Sequence, residues 1–264
     1  MLDDFSLPEN TPVLPLQSKL ALITGASGGI GRATALALAR QGCSIAVHYH
    51  SSKEKAEALV SELTKMKDIN AVAFQADLSD YNNVRKLHSE VVYHMGHPDI
   101  LFNNSGTTNR VIGPNGNIED VSIEEFESTW RTNTGSSYLL TQLCLPKMAE
   151  KRYGRIVFNS SVAAGTGGVI GPHYASSKSA MHGMLHWIAM RYAKEGITCN
   201  AVAPALVIET GMMSNPSDQL KVRISVGRFG HPSEIASVVG MLVTNSYMTN
   251  KIVVADGGWT PSAF

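Results

Sequence analysis

The sequence predicts an α/β fold, a single-domain, doubly wound parallel β-sheet with helices on both faces. Three observations predict it. Short apolar runs alternate with stretches of helical periodicity along nearly the whole chain, which is the pattern of a parallel sheet built by crossover helices. Several runs, such as IVF at 156–158 and IVVA at 252–255, are apolar at consecutive positions, as strands buried on both faces require. A glycine-rich stretch, TGASGGIG at 24–31, joins the first apolar run to the first helical one.

The elements follow in order. Residues 1–17 hold two Asp, one Glu, three Pro and only isolated apolar positions, which predicts an extended leader ahead of a catalytic domain at 18–264. Residues 19–24 (KLALIT) form a strand, and 31–40 place Ala and Leu at helical spacing. Residues 44–49 (SIAVHY) make a second strand, 53–67 a helix charged on one face, 71–75 a third strand and 81–95 a third helix. A strand at 100–103 runs into NNSG. Beyond it the spacing predicts a helix over 122–150, a strand at 155–160, a helix over 174–194, a strand at 198–202, a helix over 232–243 and a closing strand at 251–255. No tandem repeat, low-complexity tract or linker-like break divides the 264 residues, so both halves share one sheet.

Composition narrows the function. Lys plus Arg equals Asp plus Glu at 22 each, so no global charge draws the chain to nucleic acid or anionic lipid, and a small or carrier-bound substrate is expected. Cys43, Cys144 and Cys199 are odd in number, far apart and set among apolar neighbours, which predicts reduced structural thiols and no metal site. The start lacks a secretory or mitochondrial signature, and polar residues interrupt every apolar run, so a cytoplasmic location without a membrane span is expected.

Glycines at 25, 29 and 31 let the backbone turn tightly and approach a pyrophosphate, whose charge the helix N-terminus stabilises. Alone, the stretch reads equally as a tight connection. The segment after the second strand, His48, Tyr49, His50, Ser51, Ser52 and Lys53, carries no acid until Glu54. An acid there would bind an adenosine ribose and repel a 2′-phosphate, so its absence predicts NADP(H) over NAD(H). Tyr174 and Lys178, in YASSK, lie one turn apart on a predicted helix, where an ammonium stabilises a phenolate. Lowering a tyrosine by roughly three units from about 10 takes on the order of 4 kcal/mol. An isolated YxxxK is more often a surface pair.

The chain resembles the short-chain dehydrogenase/reductase family. The resemblance rests on TGxxxGxG at the Rossmann-type turn, Asp77-Leu78 after the third strand, NNSG at 103–106, Asn133 in TWRTNTGS, Ser161 thirteen positions before Tyr174, YASSK, NAVAP at 200–204 and DGG at 256–258. Ser105 replaces the family's Ala, Ala205 its Gly, and Gly28 stands where many NADP-using members carry a basic residue. The resemblance implies Asn133, Ser161, Tyr174 and Lys178 as catalytic residues, with Ser160 a strand-end serine. For the cofactor it implies Gly25, Ser27, Gly29, Ile30 and Gly31 at the turn and Tyr49, His50, Ser51 and Ser52 after the second strand. Asp77, Leu78, Asn104, Ser105 and Gly106 would follow, then Tyr174 and Lys178, and finally Pro204, Val207 and Thr210.

Implied with these is hydride delivery from NADPH to a ketone carbon while Tyr174 protonates the oxygen. GRIVFNSSVA, YASSKSAMHGM, GITCNAVAP and GRFGHPSEIA are similar to segments of 3-oxoacyl-acyl-carrier-protein reductases and related ketoreductases. The stretch 107–118 is several residues longer than in fatty-acid reductases, which leaves an acyl-thioester substrate open, and a substrate lid is expected at about 208–226. Two other readings stand: an oxidative sugar or polyol dehydrogenase, and a noncatalytic nucleotide-binding scaffold. The family also implies a homotetramer or dimer through the helices at 122–150 and 174–194. His182 and His186 lack a third ligand and read as structural or interface residues, and Trp130 and Trp187 as packing residues.

Overall fold

The computed structural model describes residues 16–213 and 217–261. The predicted leader lies outside them except for Leu16, which is buried in the core, and Gln17. Seven strands, β1 (Leu20–Ile23), β2 (Ser44–Tyr49), β3 (Ala71–Gln75), β4 (Ile100–Asn103), β5 (Gly154–Asn159), β6 (Ile197–Pro204) and β7 (Lys251–Ala255), form one sheet. Their order is β3-β2-β1-β4-β5-β6-β7 and every pairing is parallel. The predicted doubly wound sheet is therefore observed.

Alternate side chains of each strand leave opposite faces, so each strand feeds two cores. Ala21 and Ile23 of β1 pack toward α1 (Gly29–Ala39), α2 (Lys53–Leu63) and α8 (Pro232–Thr244) through residues such as Leu38, Leu59 and Val239. Leu20 and Leu22 face α3 (Tyr81–Met95), α5 (Ser136–Glu150) and α7 (Pro172–Tyr192), meeting Leu87, Leu140 and Leu185. All four residues of β1 are buried, which explains its unbroken apolar character; all eight of β6 are buried too, and its Asn200 side chain is satisfied by the Met248 carbonyl and the Lys251 N–H.

The chain departs from the expected pattern where polar side chains compete with the helix. The helix predicted over 122–150 is two helices, α4 (Ile123–Trp130) and α5, joined by a π-helical turn at Arg131–Gly135. Gly135 allows this turn to pack on Tyr81, whose hydroxyl would lie 2.1 Å from an added Cβ. Ser122 and Glu125 start α4 with a reciprocal capping box. A short helix α6 (Ala163–Thr166), absent from the sequence pattern, follows β5, and α7 starts two residues early because Pro172 suits a first helical turn. Among the described residues no helix is long and apolar enough to cross a membrane.

Candidate active site

Strand order reverses between β1 and β4: the chain first builds outward through β2 and β3, then continues on the other side of β1. Loops leaving these two strands part in opposite directions and open a crevice at their carboxyl ends, the usual ligand position in such sheets. A cleft of about 590 Å³ occupies it.

One end is the glycine turn. Gly25, at φ +63°, reverses the chain after β1, and Ser27, Gly29 and Ile30 line the cleft where α1 begins. A Cβ on Gly29 would stand 2.3 Å from the Glu209 carbonyl oxygen, so only glycine permits this approach. His50, Ser51 and Ser52 from the end of β2, and Asp77 and Leu78 from the end of β3, form the adjacent wall. The Ser79 backbone N–H and hydroxyl donate to Asp77 at 2.9 and 2.8 Å and hold its carboxyl below the usual value. Asp80 caps α3 by accepting from the Asn82 N–H at 2.8 Å.

Two residues assigned to the cofactor do not line the cleft. Gly31 lies behind the turn, where an added Cβ would be 2.4 Å from the Gly25 carbonyl oxygen, so it lets α1 pack closely on the turn. Tyr49 is buried among the apolar residues beneath α1 and α2, because strand alternation sends it to that face.

A polar ladder spans the switch point. Thr24 Oγ1 accepts from the backbone N–H groups of Asn104 and Ser105 at 2.8 and 2.9 Å, and the Asn104 amide donates to the Thr24 carbonyl at 2.8 Å. The Asn159 amide donates to Asn104 Oδ1 at 2.9 Å, and the Asn159 carbonyl accepts from Lys178 Nζ at 2.8 Å. Gly106 completes the cradle: a Cβ there would crowd both Lys178 Nζ and Asn133 Oδ1 at 3.2 Å. Pro204, Val207 and Thr210 close the far side. The shape, with glycines at its closest approaches, fits a dinucleotide.

At the other end, the start of α7 presents Tyr174 and Lys178, both buried, and the end of β5 presents Ser161. Burial pushes the Tyr174 phenol above its usual value, and its hydrogen bond with Ser161 offsets part of that rise. Burial likewise brings Lys178 down to about 8, since its ammonium, 5.7 Å from the Tyr174 ring centre, has lost its water. In the protein without cofactor, burial thus works against the lowered phenol expected at Tyr174. Asn133, fully buried in the π-helical turn, stands behind the cleft: its amide donates to the Thr107 carbonyl and to Ser177 Oγ at 3.0 Å each, and its Oδ1 accepts from the Thr107 N–H at 2.8 Å. Chemically, a buried phenol can donate a proton, and a serine hydroxyl can hydrogen-bond a developing oxyanion.

Sequence reasoning passed over several residues here. His48 is buried beneath the turn, where Nδ1 accepts from the Gly25 N–H at 3.0 Å and Nε2 donates to the Ala76 carbonyl at 3.1 Å, bracing the turn against the end of β3. Its one signal was a polar residue inside an apolar strand. Asn159, Thr107, Thr108 and Met212 also line the cleft. The discounted histidines have partners, Ser160 Oγ at 2.8 Å for His182 and Asn250 for His186, and Trp130 donates to Ser176 Oγ at 3.1 Å while stacking on Phe126.

The profile of the family described as short chain dehydrogenase matches residues 19–221. The chain is 36% identical to the 3-oxoacyl-[acyl-carrier-protein] reductase FabG of Staphylococcus aureus strain Mu50, covering 91% of this chain and 98% of that protein. It is 33% identical to the L-rhamnose 1-dehydrogenase (NADP(+)) of Thermoplasma acidophilum, covering 93% and 98%. Among solved structures, a blue fluorescent protein from a metagenomic library in complex with NADPH superposes with a TM-score of 0.84 at 33% identity, covering 94% of this chain and all of that one.

His48 supplies a test. Burial, the largest cause, lowers it to about 4 despite the bond to Ala76. An unfolded histidine titrates near 6.5, so as pH falls the unfolded state takes up the proton first. Its stabilising contribution is complete above that value and drains away toward the folded value. Urea unfolding should show wild type losing about 2 kcal/mol more than His48→Asn between about pH 7.5 and pH 5; parallel curves would exclude the brace.

Proposed function

The chain belongs to the short-chain dehydrogenase family, and from that membership we propose that it is an NADP(H)-dependent ketoreductase with Tyr174 as proton donor. The observation that carries the reading is the burial of Tyr174 and Lys178 side by side, with Ser161 on the Tyr174 hydroxyl. In reduction Ser161 donates a hydrogen bond to the ketone oxygen, and Tyr174 gives that oxygen its proton as negative charge develops. NADPH supplies the hydride. Lys178, held by the Asn159 carbonyl, stabilises the phenolate that remains. Asn133 fixes the loop at Thr107 and the turn of α7 at Ser177.

The preference for NADP(H) is supported by the hydroxyls of Ser51 and Ser52 at the end of β2 and by an adjoining groove of about 840 Å³ that carries Arg40 and Lys55, while Arg32 in the same groove pairs with Glu62. Lys53 pairs with Glu57 instead. The NADPH bound to the blue fluorescent protein and the NADP(+) of the rhamnose dehydrogenase agree with it. For substrate, the similarity to FabG favours a 3-oxoacyl thioester or a smaller β-keto analogue. The similarity to a rhamnose dehydrogenase favours a second reading, oxidation of a sugar or polyol on the same residues. Three free, buried cysteines suit a cytoplasmic setting.

Tyr174→Phe should lower NADPH-dependent turnover of a β-ketoester by about 10²–10⁴-fold, read by NADPH oxidation, with NADPH affinity retained; full turnover refutes the assignment. Equal kcat/KM with NADH refutes the cofactor preference. We also infer a homotetramer or dimer, from the exposed Tyr138 on α5 and Trp187 and Met190 on α7. Light scattering should return a multiple of the chain mass, and a monomer contradicts it.

A further inference from the structure

The residue before Tyr174 has a use that the reaction does not require. His173 is fully buried at the start of α7, and its Nε2 faces two backbone carbonyls, Thr108 at 2.8 Å and Arg110 at 3.0 Å. Two acceptors at one nitrogen require it to carry the hydrogen, so the ring is the Nε2–H tautomer and one donor serves both carbonyls. Its Nδ1 is buried without a partner. Gly171 makes room for the ring: at φ +150°, its Cβ would stand 2.7 Å from His173 Cε1.

The loop so held is the long segment after β4. Among the described residues, the buried apolar positions skip from Phe102 to Leu139, so no core side chain anchors this stretch. Polar ties hold it instead. Asn133 clamps Thr107, Asn109 donates to Thr129 Oγ1 at 2.8 Å, and Arg110 pairs with Glu125 at 3.2 Å on the surface. The Ile112 N–H donates to the Ile170 carbonyl at 2.9 Å. Between the clamp at Thr107 and the contact at Ile112, His173 joins Thr129 as a fully buried partner of the loop, and it belongs to the same helical turn as Tyr174. Thr107 and Thr108 line the cleft beside Tyr174 and Ser161.

We propose that His173 is a positioning residue for substrate: by holding Thr108 and Arg110 it fixes the Thr107–Thr108 wall of the cleft relative to Tyr174, and so sets which ketones are bound productively. The effect on turnover rests on the ketoreductase reading; the tie itself does not. The cofactor end is held separately by Thr24, Asn104 and His48, so the proposal separates substrate from cofactor binding.

The test compares His173→Leu and His173→Asn, which lose a donor at the Nε2 position, with His173→Gln, whose amide nitrogen reaches that position. Hydrogen–deuterium exchange of residues 107–112, NADPH affinity by fluorescence titration, and kcat and KM for ethyl acetoacetate are measured on each, with thermal melting to confirm folding. In Leu and Asn, loop exchange should rise and KM should rise by about tenfold or more, while NADPH affinity and kcat stay within about threefold; Gln should restore both readouts. Unchanged loop exchange in a folded Leu or Asn variant overturns the tie. A fall in kcat at constant KM overturns the substrate role, since it would place the effect on Tyr174 itself. If Leu fails to fold, Asn against Gln decides by the same readouts. If wild type leaves ethyl acetoacetate untouched, the ketoreductase reading fails for that substrate and the exchange comparison alone decides the tie.

Discussion

Desolvation of two ionisable groups on one turn of α7 is the constraint around which the rest of this protein is arranged. Tyr174 and Lys178 have both left water, and each is pushed toward its neutral form, the phenol upward and the ammonium down to about 8. Such burial costs stability unless partners compensate, and the partners are few: the Asn159 carbonyl for Lys178 and the Ser161 hydroxyl for Tyr174. A site in this condition responds strongly to any charge brought into it. The proton-donor role proposed for Tyr174 draws on that property.

The fold supplies the means. Parallel strands bring the ends of β1, β4, β5 and β6 to one edge, and the reversal of strand order beside β1 leaves the gap between them. Thr24, Asn104 and Asn159 then bridge that gap with side-chain bonds, so the turn that approaches the cofactor and the lysine beside the phenol belong to one network. The π-helical turn between α4 and α5 places Asn133 where it clamps both Thr107 and Ser177. A regular helix through 131–135 would direct that side chain elsewhere, which agrees with the recurrence of π-turns at functional sites.

Much of this was legible in the sequence, for physical reasons. Strands buried on both faces have to be apolar throughout, so β1 and β5 announced themselves, whereas β7, read the same way from IVVA, is a partly exposed edge strand; the glycine turn showed where a backbone had to pass close to something. Ser161, Tyr174 and Lys178 meet in one cleft because Ser161 follows β5 by two residues and the other two lie one turn apart on α7. What stayed hidden depends on contacts between distant residues. The π-turn at 131–135 follows from bonds to Thr107 and Ser177, neither of which is near in sequence. His48 looked like an interruption in a strand until the Gly25 N–H was found on its Nδ1. Tyr49 went to the cleft by proximity in sequence and to the core by strand alternation, and Gly31 serves helix packing behind the turn. Likewise the histidine beside Tyr174 gave no sign of its hold on a loop more than sixty residues earlier.

Burial favours the protonated form of Tyr174 in the free protein, and the Ser161 hydrogen bond acts against that tendency. Ultraviolet difference titration of tyrosinate, wild type minus Tyr174→Phe, isolates this phenol from the other tyrosines. The account predicts that in the free protein the difference signal titrates above the ordinary tyrosine value of about 10. A difference signal titrating at or below that value would contradict it, because Lys178 alone would then suffice to activate the phenol.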